Sequence, residues 1–73
     1  MSSLPILSGK EVISTLAKIG YRPVRQRGSH IRLSCPNKKS VTVPNHPVIG
    51  KTLLKKILRD IEITLAEFNK LID

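Results

Sequence analysis

Few side chains in this chain could do chemistry, and the ones that could gather around one short motif, Gly28-Ser29-His30. Metal-dependent cleavage of a phosphodiester needs carboxylates clustered around Mg²⁺ or a similar ion. All five acids here are placed elsewhere: Glu11 in a helix cap, Asp60 and Glu62 at the end of a second helix, Glu67 and Asp73 in the tail. One Cys and two His at no recognised spacing make a poor zinc site, and no Gly-rich phosphate loop follows a strand. The expectation is therefore no metal and no cofactor. Cleavage of RNA without a metal asks for less, because the substrate carries its own nucleophile in the 2′-hydroxyl. It needs a base, cations for the phosphate and a fixed geometry. Histidine is the usual base, since its unperturbed pKa of ~6.5 lets it accept a proton at cellular pH. His30 follows a Gly-containing turn, and Arg25, Arg27 and Arg32 are close to it in sequence, available to hold a phosphate and its developing charge. From residue type alone, an ordinary exposed strand histidine is the commoner case. His46 is a second candidate, either as the acid that protonates the leaving oxygen or as a plain loop residue beside Pro47, and the loop reading is favoured.

The charge distribution points the same way. The formal net charge is +8, and from Arg22 to Arg59 there are ten basic residues and no Asp or Glu. A stretch without internal counter-charge projects a positive field that attracts a phosphate polymer or an acidic protein. Solubility alone is the competing explanation, but soluble surfaces usually mix both signs. Only two aromatics exist, Tyr21 and Phe68, and both are expected in the core, which argues against modules that stack bases on a sheet of aromatics.

The elements that must position these groups are legible from periodicity. Ser8-Gly9-Lys10-Glu11 has capping-box form, and Val12, Ile13, Leu16, Ala17 and Ile19 recur at helical spacing behind it, predicting a helix from Gly9 to Ile19 that stops at Gly20. From His30 to Cys35 the period becomes two, with Ile31, Leu33 and Cys35 inward and His30 and Arg32 on the opposite face. Tyr21 to Gln26 is a less clear partner strand that Pro23 marks as an edge, with Arg27-Gly28 as the turn. Ser40 to Val43 forms a third strand after the turn at Pro36-Asn37-Lys38. Lys51 to Ile61 is the cleanest helix: Leu53, Leu54, Ile57, Leu58 and Ile61 share one arc, and Lys51, Lys55, Lys56 and Arg59 the other. That cationic arc is either a phosphate-contacting ridge or the solvated side of an amphipathic helix. A second capping box, Thr64-Leu65-Ala66-Glu67, opens a short terminal helix that brings Phe68, Leu71 and Ile72 to the core. The order is α-β-β-β-α with a helical tail, giving a two-layer α+β domain in which a three-stranded antiparallel sheet is covered by two helices on one face.

At 73 residues the chain supports one domain, spanning 1–73, with a thin core. The lone Cys35 fits a reducing cytosol, Met1 to Leu7 makes a poor signal peptide, and no apolar run approaches the ~20 residues that span a bilayer. The expected location is cytoplasmic, with no membrane association.

Gly28-Ser29-His30 at the start of the second strand, Val43-Pro44-Asn45-His46 after the third, Thr52-Leu53 opening the second helix with Ile57-Leu58 inside it, and the closing Thr64-Leu65-Ala66-Glu67-Phe68 together resemble the HicA toxins. The resemblance runs from about Ser8 to Leu71. It implies a fold similar to double-stranded-RNA-binding domains and activity as a metal-independent mRNA endoribonuclease (an mRNA interferase). It further implies the toxin role in a type II toxin-antitoxin system, with a HicB-type antitoxin as the partner that blocks the active site. The family's catalytic histidine carries over onto His30, with Gly28 and Ser29 as motif neighbours. RNA contacts are expected from Arg25, Arg27, Gly28, Ser29 and Arg32 and from Lys51, Lys55, Lys56 and Arg59. The chain departs from the family pattern where Lys51 precedes Thr52-Leu53 in place of Gly and where Asp60-Ile61-Glu62 replaces an Ala-Gly turn. The alternative is a non-catalytic RNA-binding module that recognises duplex shape.

Overall fold

The computed structural model describes residues 5–72. The N-terminal segment Met1–Leu4 and the acidic Asp73 lie outside the described residues. The order is α1 (Gly9–Ala17), β1 (Arg22–Arg27), β2 (His30–Ser34), β3 (Val41–Pro44), α2 (Lys51–Ile61) and α3 (Leu65–Ile72). The strands form one antiparallel meander, β1-β2-β3.

Both capping boxes form. Ser8 Oγ accepts the Glu11 amide at 3.1 Å while the Glu11 carboxylate accepts the Ser8 amide at 2.9 Å. Thr64 and Glu67 repeat the exchange at 3.1 and 2.8 Å. Each satisfies two of the amides that a helix start leaves without a partner. Regular α1 ends at Ala17, two residues before the expected Ile19, because its last turn tightens to i→i−3 hydrogen bonds, Lys18 N–H to Thr15 O and Ile19 N–H to Leu16 O, before closing in a Schellman motif. Gly20 N–H donates to Ala17 O and Tyr21 N–H to Leu16 O, with Gly20 at φ +106°, a conformation glycine adopts without steric penalty. The second helix, α2, has the expected bounds and ends in the same motif, with Glu62 N–H to Arg59 O and Ile63 N–H to Leu58 O. There the left-handed position is filled by Glu62, at φ +62°.

Side chains alternate across the sheet as the sequence pattern requires. Leu33, Val41 and Val43 face the helices and pack with Val12, Leu16, Tyr21, Leu54, Ile57, Ile61 and Phe68 into one core. Tyr21 is fully buried, and its hydroxyl is satisfied by Lys39 O at 2.7 Å. Helices cover the β2–β3 side of the sheet only. The outer strand β1 overhangs, exposed at all six residues, which is why its sequence reads poorly as a half-buried strand.

Candidate functional site

The site is built on the hairpin between β1 and β2. Its loop is Gly28-Ser29, one residue later than the expected Arg27-Gly28, because Arg27 and His30 still pair across the ladder. Gly28 has φ +60°, the positive value that a two-residue hairpin loop requires at its first position. Gln26 Nε2 donates to Gly28 O at 3.0 Å. On the other side, Asn45 N–H donates to Ser29 O at 2.6 Å, so the loop is held between β1 and the segment after β3.

A β-bulge decides which side chains join His30. Pro23 pairs with Leu33 and Arg25 with Arg32, leaving Val24 as an extra residue on β1. Without it, the register running on from Pro23 would set Arg25 opposite Ile31, on the core-side face. One inserted residue reverses the parity. Arg25 then pairs with Arg32, Arg27 pairs with His30, and all four are exposed on the face away from the core. Val24, the extra residue, stays 62% exposed.

Arg25, Arg27, His30 and Arg32, with Thr42 of β3, line a concavity of about 230 Å³. No carboxylate lines it. Arg32 is oriented by a hydrogen bond from Nη1 to Thr42 Oγ1, 3.1 Å. Pairing Arg25 directly against Arg32 places like charges opposite each other, an arrangement that destabilises a sheet. A second concavity of about 270 Å³ shares His30, Arg32 and Thr42 with the first and lies where Thr42 and Pro44 of β3 face Leu53, Lys56 and Asp60 of α2. Lys56 Nζ is 3.2 Å from Asp60 Oδ2. This hydrogen bond is the chief cause holding the Asp60 carboxyl below the usual carboxylate range, with the charges of Lys56, Lys39 and Arg59 acting the same way.

The structure thus brings Arg25, Arg27 and Arg32 to His30, with Gly28 and Ser29 in the turn that precedes it. Lys56 reaches the second concavity. Lys51, Lys55 and Arg59 are exposed on α2 and line neither concavity beside His30. His46 also lines neither; its Nε2 is 3.4 Å from Ser29 Oγ, and its carbonyl accepts the Gly9 amide at 2.8 Å. Sequence reasoning missed Thr42 and Asp60. Thr42 was findable, since it alternates with the inward Val41 and Val43 and so shares the face of His30 and Arg32. Asp60 lies thirty residues from His30 in the chain, and only the packing of α2 beside β3 joins them. Among the described residues, no group of three or more His, Cys, Asp or Glu comes together in a way that could hold a metal ion, and no helix is long and apolar enough to cross a membrane.

A family model described as HicA toxin of bacterial toxin-antitoxin matches residues 9–63. Comparison with curated proteins and with solved structures gives no significant match. The matched span contains α1, the whole sheet and α2, and so every residue of both concavities.

Proposed function

From the premise that the chain belongs to the HicA toxin family of bacterial toxin-antitoxin systems, its match covering well over half the sequence, we propose that it is an endoribonuclease that cleaves mRNA without a metal ion. His30 is the general base. It takes the proton of a 2′-hydroxyl, the freed oxygen attacks the adjacent phosphorus, and a 2′,3′-cyclic phosphate forms as the bond to the 5′-oxygen breaks. The leaving oxygen takes its proton from water, since His46 lies outside both concavities that His30 lines. Arg25, Arg27 and Arg32 bind the phosphate and stabilise the extra negative charge of the five-coordinate transition state, while Gly28 and Ser29 form the turn that aims His30. Exposed Lys51, Lys55, Lys56 and Arg59 extend the cationic surface along α2 and bind flanking phosphates.

One observation carries this reading: a histidine shares a 230 Å³ concavity with three arginines and no carboxylate. The same surface suits a HicB-type antitoxin that presents acidic groups and blocks the site in the cytoplasm. The test is cleavage of mRNA in EDTA by the wild-type protein and by His30→Ala, with circular dichroism to verify folding. Wild type is expected to cleave, and loss of the base is expected to slow cleavage about 10²–10⁴-fold. An unchanged rate in His30→Ala overturns the catalytic role. Salt-sensitive RNA binding by a wild-type protein that never cleaves would identify a binding module in its place.

A further inference from the structure

His30, Arg32 and Thr42 line two adjoining concavities that differ in the rest of their lining. The first adds Arg25 and Arg27, holds no carboxylate and suits phosphate. The second adds Lys56 and Asp60, the one carboxylate that lines either of them, so it alone sets an anionic acceptor beside its cations. Pro44 is buried and Leu53 half-buried where they wall it, and with Val41 and Ile57 they give it an apolar wall beside the polar Arg32, Ser40 and Thr42. Its volume of about 270 Å³ falls just below the ~300 Å³ at which small-molecule sites begin, which is room for one planar ring system.

We infer that the groove between β3 and α2 is a base subsite that takes guanine from single-stranded RNA, read by the pair Lys56–Asp60 beside His30. This rests on the proposed action on RNA. The hydrogen-bonding inventory selects the base. Lys56 Nζ spends one donor on Asp60 Oδ2 at 3.2 Å, and an ammonium has three. The Lys56 hydrogen bond goes to Asp60 Oδ2, and a carboxylate accepts at both of its oxygens. The pair therefore offers a donor next to a two-oxygen acceptor. Guanine presents the complement along its Watson–Crick edge: O6 accepts, and N1–H and N2–H both donate. Adenine and cytosine each present a single donor group on that edge, and uracil places its one donor between two acceptors. Unpaired bases expose these edges and lie against apolar or aromatic walls. The Lys56 hydrogen bond also keeps Asp60 ionised, so it acts as an acceptor at neutral pH. The side chain of Asp60 is 22% exposed against 62% for Lys56, which makes the carboxylate the more sheltered half of the pair.

The experiment uses the full chain carrying His30→Ala, so that binding is read without cleavage. Four uridine-rich oligonucleotides differ only in a central G, A, C or U, and affinity is measured by fluorescence anisotropy at constant salt. The guanosine oligonucleotide is expected to bind at least about fivefold tighter, the lower end of what a good bidentate contact discriminates. Adding Asp60→Asn should remove that preference, because the amide replaces one acceptor with a donor. Adding Lys56→Ala should reduce it, and gives an independent reading if the first variant folds poorly. Equal affinity for all four, a preference that survives Asp60→Asn, or no RNA binding at low salt overturns the subsite. The wild-type protein is assayed for cleavage of the same oligonucleotides. A guanosine preference in binding without any wild-type cleavage sinks the catalytic reading and leaves the subsite standing; cleavage with flat binding does the reverse.

Discussion

Arg25 and Arg32 are direct cross-strand partners, two guanidinium-bearing side chains set opposite each other on the exposed face of the hairpin. Sheet formation does not favour this, since like charges in opposed positions destabilise by an amount comparable to the ~0.2–1 kcal/mol that favourable pairs contribute. The Val24 bulge creates the opposition by turning β1 so that Arg25 and Arg27 join His30. A local arrangement that lowers stability while concentrating charge is what the proposed RNA-binding role would require of this face.

Arg25→Ala is therefore expected to stabilise the fold by about 0.2–1 kcal/mol and to weaken RNA binding. Arg25 is the informative partner, because Arg32 also donates to Thr42 and its removal would break a second contact. Thermal denaturation measures the gain. Affinity against salt concentration measures the loss, whose log–log slope should shrink by about 0.7 for one phosphate contact on single-stranded RNA. A variant that is less stable, or that binds RNA with an unchanged slope, contradicts this account.

Much of the arrangement is legible in the sequence wherever one local rule acts alone. Two capping boxes, the period of β2, the turn glycine and the bounds of α2 all follow from residues within a turn of each other. What escapes is set by contacts distant in sequence or by counting. The bulge is a one-residue irregularity in a strand that no helix covers, so β1 carries no alternation from which its register could be read. The Lys56–Asp60 pair is readable as an i,i+4 contact, but its position beside His30 depends on how α2 packs against β3. The end of α1 differs by two residues because the amides of Lys18 and Ile19 bond three residues back, to Thr15 and Leu16, which takes the last turn out of the regular ladder.

Glu62→Gly is expected to raise stability. Gly20 and Glu62 occupy equivalent places in two Schellman closures, at φ +106° and +62°, and only glycine adopts that region without a clash between Cβ and backbone. Some of the gain is offset by the greater freedom of glycine in the unfolded chain. A net stabilisation of about 0.5–1 kcal/mol is expected, which for a domain this size is a rise in Tm of roughly 2–8 °C. An unchanged or lower Tm would mean that the Glu62 side chain contributes something no contact in the fold reveals.

Acid should weaken the fold through Glu67 and Asp60. The carboxyl of Glu67 is held below its usual range first by the hydrogen bond from the Thr64 amide, and that of Asp60 first by the bond from Lys56. A depressed folded-state pKa means that the stabilisation is complete above the unfolded value, ~3.9 for Asp and ~4.3 for Glu, and is lost as pH falls through the lower folded value. The Tm is thus expected to be flat near neutral pH and to fall below about pH 4. In Glu67→Gln, whose amide can still serve the capping box, the acid-side fall should be shallower. Parallel melts of the two proteins across this range decide the matter, and identical curves would remove Glu67 from the explanation.

Gly9 couples the first helix to the hairpin that carries His30. A Cβ at this position would overlap the carbonyl oxygen of Pro44, and the obstacle is backbone, which cannot swing aside as a side chain can. Next to it, Asn45 N–H holds Ser29 O, and the His46 carbonyl holds the Gly9 amide. Gly9→Ala must push the end of β3 outward, an overpacking that typically costs about 1–3 kcal/mol, and the displacement passes through Asn45 to the residue preceding His30. Two effects are expected together: a lower Tm, and shifted amide resonances at Ser29 and His30 with slower RNA cleavage at temperatures where the variant is folded. Gly50→Ala is the comparison, because a Cβ there meets no atom within 4 Å; it should leave the Ser29 and His30 resonances in place. If Gly9→Ala lowers stability but leaves those resonances and the cleavage rate unchanged, the α1 junction supports the fold without positioning His30.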